Sequence, residues 1–260
     1  MNTLSSLSEK IAKAQTLDFG QIFSDALELY KKTWLQGFLM QLFALIVMLP
    51  ILIIFYVPFI GVIIAQQNSG YADTEALENF MSSMSVPYII LLVACVIVLG
   101  TLTYALNAAF FNIMKKLDYN EQSTTSDFLA FFKMPYLIKI FLLMLVAVLI
   151  AIPSALLCYI PLIYTIVPMS FFMAVFAFNP DLSVGDIISV SFKLGNKKYF
   201  LSLGLLVLSY LCILVLSFVT CGVGGLFIQS FLFHPTYLIY KNVIGFNEAH
   251  VIDQIGETTE

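Results

Sequence analysis

The chain has 260 residues, of which 60% are hydrophobic and 11% are charged, and its formal net charge is -4. A soluble domain has roughly 45 to 50% apolar and about 25% charged residues. The composition therefore excludes an ordinary soluble enzyme and predicts an integral membrane protein. The small negative charge gives no indication of a nucleic-acid partner, and we predict none.

Residues 17–35, which read LDFGQIFSDALELYKKTWL, predict an amphipathic helix. Apolar side chains recur at helical spacing from Phe19 to Trp34, and polar side chains take the opposite face. Asp18 and Gln21 have the spacing of a helix N-cap. We expect this helix to lie along the cytoplasmic leaflet, with its lysines at anionic lipid headgroups. The alternative is that its apolar face packs on protein at the end of a helix bundle.

Four apolar tracts without Asp, Glu or Arg occupy most of the remaining chain. A helix needs about 20 residues to cross a bilayer, so the first two tracts hold one span each and the last two hold two each. Pro153 and the CYIP of residues 158–161 divide the third tract, and the TCGVGG of residues 220–225 divides the fourth. The six predicted spans are residues 36–58, 88–112, 137–157, 161–178, 200–219 and 226–241.

The amphipathic passage recurs at residues 182–200, which align with residues 17–35 without gaps. The identical pairs are Leu17/Leu182, Gly20/Gly185, Ile22/Ile187, Ser24/Ser189, Leu29/Leu194 and Lys32/Lys197. A shorter version begins at Thr124, where Thr124 and Asp127 repeat the cap spacing, as Ser183 and Asp186 do. Each version precedes a two-span hairpin, which indicates three parallel repeats.

The predicted fold class is therefore an all-α integral membrane protein with six transmembrane helices. They form three hairpins, and a cytoplasmic interfacial amphipathic helix precedes each hairpin. The predicted parts are a cytoplasmic tail of residues 1–16 and repeats of residues 17–122, 123–181 and 182–260.

The orientation follows from the basic residues, which are all lysines and which the six-span threading places on one side of the membrane. The positive-inside rule makes that side cytoplasmic, with both termini there and residues 66–86 outside. The expected partners are thus the lipid bilayer and its anionic headgroups. The lysines predicted to meet these headgroups are Lys31, Lys32, Lys133, Lys193, Lys197 and Lys198.

Polar groups inside the predicted spans are few. No carboxylate lies in any predicted span, so the intramembrane charge that usually marks ion or proton coupling is missing. His234 shares one helical face with Ser230, Tyr237 and Lys241, and we expect this stripe to face the bundle, with His234 as a hydrogen-bonded structural residue. The candidates for ligand binding are Gln41, Tyr104, Asn107, Gln229, Ser230, His234 and Tyr237.

The sequence has no P-loop, no Cys/His cluster at metal-ligand spacing and no arginine to clamp a phosphate. We therefore predict no catalytic site, no metal and no cofactor. Cys158 and Cys221 each lie 22 residues after the aromatic residue that opens their tract, Tyr136 or Tyr199. We expect both at the outer ends of their hairpins, either as a disulfide or as two buried free thiols.

The passage LDFGQIFSDALELYKKTWLQGF, its copy at residue 182 and the closing PTYLIYKNV resemble a bacterial six-span family. That family includes the membrane domain of glycerophosphoryl diester phosphodiesterases and related uncharacterised inner-membrane proteins. The resemblance covers nearly the whole chain and rests on patterns of hydrophobicity. It implies a six-span fold in the bacterial inner membrane and no reaction, because in that family the phosphodiesterase is a separate soluble domain.

Three functions fit these observations. The first is a non-catalytic scaffold or envelope-organising membrane protein, favoured by the missing ionisable groups and the repeated interfacial helices. The second is a carrier or binding protein for a lipid or other apolar molecule, in which the polar stripes line a cavity. The third is an intramembrane enzyme, for which the chain offers only one histidine in a span.

Overall fold

A computed structural model describes residues 3–69, 78, 82, 86–157 and 159–246, and the elements it contains over these residues are all helical. The α-helices are α1 (Leu4–Ala12), α2 (Phe19–Ser69), α3 (Val86–Asp118), α4 (Met134–Leu156), α5 (Ile160–Ser170), α6 (Phe172–Phe178), α7 (Val184–Lys197), α8 (Tyr199–Val219), α9 (Val223–Ile228) and α10 (Phe233–Val243). The 3₁₀ helices are Thr125–Leu129 and Gln229–Leu232.

Five helical stretches are long and apolar enough to cross a membrane. This confirms the prediction of a helical membrane protein, whereas the predicted number of six spans is not confirmed. Each of the five overlaps one of the first five predicted spans. They are Phe19–Ile54, Tyr88–Asp118, Met134–Leu156, Ile160–Phe178 and Tyr199–Val219.

The first predicted amphipathic helix is not a separate element. It forms the start of α2, which continues without a break for 51 residues, about 75 Å, through the first predicted span. No proline occurs in α2 before Pro50, so nothing interrupts its backbone hydrogen bonds there. Ile22, Ala26 and Leu29 are buried in the protein core, whereas Trp34 is 46% exposed. Protein therefore covers part of the apolar face, as in the packing alternative, while Phe19, Leu27 and Trp34 of that face are exposed.

The helix-start signals predicted from the sequence are present at all three places. The backbone N–H donors and their acceptors are Gln21 to Asp18 Oδ1 (2.8 Å), Asp186 to Ser183 Oγ (3.1 Å) and Thr124 to Asp127 Oδ2 (2.8 Å). The element that follows Thr124, however, is only a five-residue 3₁₀ helix. The short amphipathic helix predicted there thus has a 3₁₀ helix in its place, and its position at the membrane interface stays a prediction.

α7 is the amphipathic helix predicted after Ser183, and protein also covers its apolar face. Ile187 and Leu194 are fully buried. A Cβ atom on Gly195 would stand 2.8 Å from Cα of Pro168, so α5 approaches α7 closely at this point. On its outer side α7 contacts α1.

The start of α8 lies beside the start of α5. The contacts Phe192–Phe172, Gly195–Pro168 and Asn196–Tyr164 show that α7 runs antiparallel to α5 and α6. Tyr199 Oη then donates a hydrogen bond to the carbonyl oxygen of Ile163 at 3.0 Å. The six-span threading had placed the start of α5 outside and the start of α8 in the cytoplasm. The second and third hairpins are therefore not arranged as that threading expected, and the division into three repeats stays a prediction.

The sixth predicted span, residues 226–241, is not one helix. It consists of α9, the 3₁₀ helix Gln229–Leu232 and α10, which have 6, 4 and 11 residues. Pro235 has no N–H to donate to the carbonyl oxygen four residues earlier, and Gly224 and Gly225 have low helix propensity. The backbone hydrogen bonds of a continuous α-helix are therefore weakened in this stretch. The chain nevertheless returns to the end of α3, which α10 contacts.

Candidate functional site

His234, at the start of α10, is fully buried and has a partner at each ring nitrogen. Its Nε2 lies 2.6 Å from Thr33 Oγ1 of α2, and its Nδ1 lies 3.1 Å from the carbonyl oxygen of Ser230. Because a carbonyl oxygen only accepts, the neutral ring carries its proton on Nδ1, and Nε2 accepts from the Thr33 hydroxyl in competition with the carbonyl oxygen of Leu29, which lies 3.0 Å from the same Oγ1. This assignment makes His234 a hydrogen-bonded link between α2 and α10.

Aromatic rings and a close helix approach surround this link. Tyr30 and Phe110 meet the imidazole edge-on, with centroids 5.5 and 6.0 Å away, and Phe231 stacks on it at 5.7 Å. One turn further along α2, a Cβ atom on Gly37 would stand 2.1 Å from Ser230 Oγ. The backbones therefore come close enough here that residue 37 has to be small.

A second polar cluster lies at the end of α3. Asp118 Oδ2 accepts hydrogen bonds from Lys241 Nζ at 2.6 Å and from Tyr237 Oη at 2.7 Å, and both donors belong to α10. Lys241 Nζ also lies 5.2 Å from the ring centroid of Tyr119. Hydrogen bonds to a charged acceptor are the stronger kind, so this cluster fastens α10 to α3.

A polar cavity of about 340 Å³ adjoins the second cluster. Its polar and aromatic lining residues are Asn112, Lys115, Phe178, Asn179, Asp181, Tyr240 and Phe246. Asn179 Nδ2 donates to Tyr240 Oη at 2.7 Å, and Lys115 Nζ lies 4.8 Å from the ring centroid of Phe246. The lining groups thus bind one another across α3, α10 and the segment after α6.

The seven predicted ligand-binding residues do not form one site. Ser230, His234 and Tyr237 are all fully buried, as expected of a stripe that faces the bundle. Gln229 is exposed. The half-buried residues are Gln41, Tyr104 and Asn107, on α2 and α3. None of the seven lines any of the three cavities described in this section, all of which are formed by described residues.

Five of the six lysines predicted at lipid headgroups are exposed, namely Lys31, Lys32, Lys133, Lys193 and Lys197. The sixth, Lys198, is only 8% exposed and donates a hydrogen bond to the carbonyl oxygen of Gln15. Burial lowers the pKa of Lys198 below its ordinary value, and the neighbouring charge of Lys197 lowers it further. The headgroup prediction is wrong for Lys198, because its ammonium group turns inward and holds the α1–α2 linker.

An apolar groove of about 520 Å³ opens on the surface of α8. Its lining residues are Ile166, Ser170, Leu203, Leu206, Val207, Tyr210, Leu211, Leu232, Phe233 and Thr236. Val207 and Tyr210 are 51% and 57% exposed. Since α8 is one of the five helices able to cross a membrane, this groove faces lipid when α8 lies in the bilayer.

A basic cavity of about 460 Å³ lies where the α1–α2 linker meets the end of α10. Its lining residues are Lys10, Lys13, Ala14, Gln15, Thr16, Leu17, Asn242 and Val243. Lys13 pairs with Glu9 at 2.6 Å, whereas Lys10 has no hydrogen-bond or ion-pair partner in the described part of the chain.

The cavity was not predicted, because residues 1–16 were expected to form a cytoplasmic tail. The signal was present: Thr3 caps α1, and Leu4, Leu7 and Ile11 follow at helical spacing. Leu7 and Ile11 are buried, and α1 packs on α7. A helix of nine residues is marginal in isolation, so the sequence pattern is weak evidence without its tertiary partner.

Within the described ranges, no group of three or more His, Cys, Asp or Glu side chains is placed to hold a metal ion. Cys95 and Cys212 are half-buried thiols, and Cys221 is exposed. Cys158 lies outside the described residues, so the disulfide between Cys158 and Cys221 stays a prediction.

Comparison of the chain with protein-family models, with curated proteins and with solved structures finds no match. The resemblance to the bacterial six-span family therefore stays a prediction. The fold and the two clusters define a class of protein only: a helical membrane protein in which buried polar groups join the helices.

Proposed function

We propose that the protein is a non-catalytic multi-pass scaffold or organiser of the cell envelope, placed in the bacterial inner membrane with both termini cytoplasmic. One observation carries this proposal: three pairs of buried or half-buried polar side chains join α10 to neighbouring helices. The three contacts are His234 to Thr33, Lys241 to Asp118 and Tyr240 to Asn179, which tie α10 to α2, to α3 and to the end of α6. Polar groups that satisfy one another in this way fix helices in place.

A scaffold needs a surface for its partner, and the exposed lysines supply one on the side predicted to be cytoplasmic. A photo-cross-linking residue at Lys31 or Lys197 should therefore yield one discrete protein adduct in native membranes. The same residue at Ile53, which is 59% exposed on the apolar part of α2, is the control and should cross-link to lipid. Only lipid adducts at all three positions would contradict the scaffold function.

The apolar groove favours a second candidate function, a carrier or binding protein for a lipid or other apolar molecule. A groove of about 520 Å³ falls within the size range of small-molecule sites, roughly 300 to 1,000 Å³. Transfer of a fluorescent phospholipid from donor to acceptor vesicles tests this candidate. A carrier should accelerate transfer relative to protein-free vesicles, and an equal rate would rule out transfer of that lipid.

A further inference from the structure

We propose that one anionic phospholipid occupies a defined site on this protein, with its headgroup in the basic cavity beside α1 and an acyl chain in the apolar groove of α8. This inference rests on the membrane location. It applies to a scaffold and to a carrier alike, so it goes beyond both proposed functions.

The two cavities lie on the same side of α10. Thr236 lines the apolar groove and Val243 lines the basic cavity. These residues are seven positions apart, which is two helical turns, so they share one face about 10 Å apart along the axis. This offset along α10 is similar to the depth over which a phospholipid passes from its headgroup into the start of its acyl chains.

The linker between α1 and α2, together with the start of α2, also lies near both cavities. Leu17 lines the basic cavity, and two residues later the ring of Phe19 covers Gly204, where an added Cβ would stand 3.0 Å from Phe19 Cε2. Gly204 follows directly after Leu203 of the groove. Phe19 is thus two residues from Leu17 of the cavity and lies close to Gly204, the sequence neighbour of Leu203 of the groove.

The dimensions agree with a phospholipid at the bilayer surface. The hydrocarbon core is about 30 Å thick within a bilayer of about 40 to 45 Å, so each headgroup layer takes about 5 to 8 Å. An offset of about 10 Å along α10 thus leads from the headgroup layer into the first part of the acyl chains.

The chemistry of each cavity selects one part of the lipid. Most of the lining side chains of the groove are hydrocarbon, and seven of the ten lining residues belong to helical stretches able to cross a membrane, so the surrounding acyl chains fill it. In the basic cavity Glu9 offsets the charge of Lys13, and Lys10 is left without a partner among the described residues. A headgroup with net negative charge, such as that of phosphatidylglycerol, supplies that partner, whereas the choline group of phosphatidylcholine cancels the charge of its phosphate.

Native mass spectrometry of the full chain in neutral detergent tests the site with two probes, dioleoyl phosphatidylglycerol and dioleoyl phosphatidylcholine. We expect one bound phosphatidylglycerol in preference to phosphatidylcholine. The double variant Lys10→Ala/Lys13→Ala should weaken phosphatidylglycerol binding by between about fivefold and about twenty-five-fold, since each lysine near an anionic surface contributes about fivefold. Binding of phosphatidylcholine should not change.

Matched variants distinguish binding at this site from nonspecific attraction of anionic lipid to the lysines of the protein. Lys31→Ala/Lys133→Ala removes two charges elsewhere and should leave the preference unchanged. Val207→Trp fills the groove and should reduce binding of both lipids, while Leu214→Trp, on exposed α8 surface outside the groove, should not. Lys10→Arg/Lys13→Arg keeps the charge and should bind as the unaltered protein does, which separates the loss of charge from any loosening of α1.

Three results with the two lipids and the variants would overturn the proposal. They are equal binding of the two lipids, equal losses in the two lysine double variants, and unchanged phosphatidylglycerol binding in Val207→Trp. Displacement of the lipid by glycerol 3-phosphate at equal concentration would also overturn it, because the acyl chain would then contribute nothing. A protein adduct in cross-linking without lipid selectivity would support the scaffold and reject only this site.

Discussion

Gly37 of α2 touches Ser230 so closely that no methyl group fits between them. An added Cβ would stand 2.7 Å from Ser230 Cβ and 2.1 Å from Ser230 Oγ. Ser230 Oγ is itself buried without a hydrogen-bond partner in the described part of the protein. The contact is therefore steric, and the room at this crossing sets how closely α2 and the last helical segments approach.

Replacing Gly37 with alanine should lower the free energy of unfolding by about 1 to 3 kcal/mol, the usual cost of overpacking. Adding Ser230→Gly to the same chain restores the room and should recover much of this loss. Gly61→Ala, also in α2 but with nothing within 4 Å of the added Cβ, is the control and should not destabilise the protein. Thermal unfolding in detergent measures all three, and equal effects at residues 37 and 61 would contradict the close approach.

Thr33→Val should destabilise the protein by about 1 to 3 kcal/mol, because it leaves Nε2 of buried His234 without a donor. His234→Phe removes the other partner, so the double variant should cost less than the sum of the two single changes by at least about 0.5 kcal/mol. Thr103→Val is the control, since Thr103 donates only to the carbonyl of Leu99 in its own helix. Strict additivity in urea unfolding would show that Thr33 and His234 do not interact.

Asp127 should make the stability depend on pH in the acid range. Partial burial acts to raise the pKa of Asp127, but hydrogen bonds from Lys116 and the backbone of Thr124 outweigh it, so the pKa lies below its ordinary value of 3.8. Because the folded-state pKa is lowered, this stabilisation is complete above the unfolded value and is lost as the pH falls through the folded value. Between pH 6 and pH 3 the melting temperature of Asp127→Asn should therefore fall less than that of the unaltered protein. Parallel curves would contradict this.

Labelling of introduced cysteines tests the membrane topology in a variant without the four native cysteines. The lysine distribution predicts that Asn120→Cys reacts with an impermeant reagent only from the cytoplasmic side and that Asn68→Cys reacts from outside. The informative pair is Leu157→Cys and Asn196→Cys, which the six-span threading places on opposite sides. The contacts between the starts of α5 and α8 lead us to expect labelling from one side. Labelling from opposite sides would restore the six-span threading.

Local signals in the sequence predicted much of the fold. Apolar tract length predicted six spans, of which the first five overlap helices able to cross a membrane, and the spacing of Asp18 with Gln21 and of Ser183 with Asp186 predicted two helix starts. Each depends only on residues within a few turns of one another. Such patterns are therefore readable without knowledge of the tertiary fold.

The sequence could not show what covers an amphipathic face. An apolar stripe such as Ile187 with Leu194 can be covered by lipid or by protein. The burial of both residues and the close approach of Gly195 to Pro168 show that protein covers this one. The basic cavity could not be predicted for the same reason. From the sequence alone Lys10 belongs to a polar tail, and only the packing of α1 on α7 places it at the cavity.

The packing of α1 on α7 has a consequence for the order in which the protein is made. Ser8 receives its hydrogen bond from Lys193, which is 185 residues later in the chain. At roughly 5 to 20 residues per second, the ribosome delivers that partner about 10 to 40 s after it delivers Ser8. A nine-residue helix is marginal in isolation, so this segment waits for most of synthesis before it acquires its final structure. The α1 segment is thus made well before its partner in α7 and is among the last parts of the described fold to form.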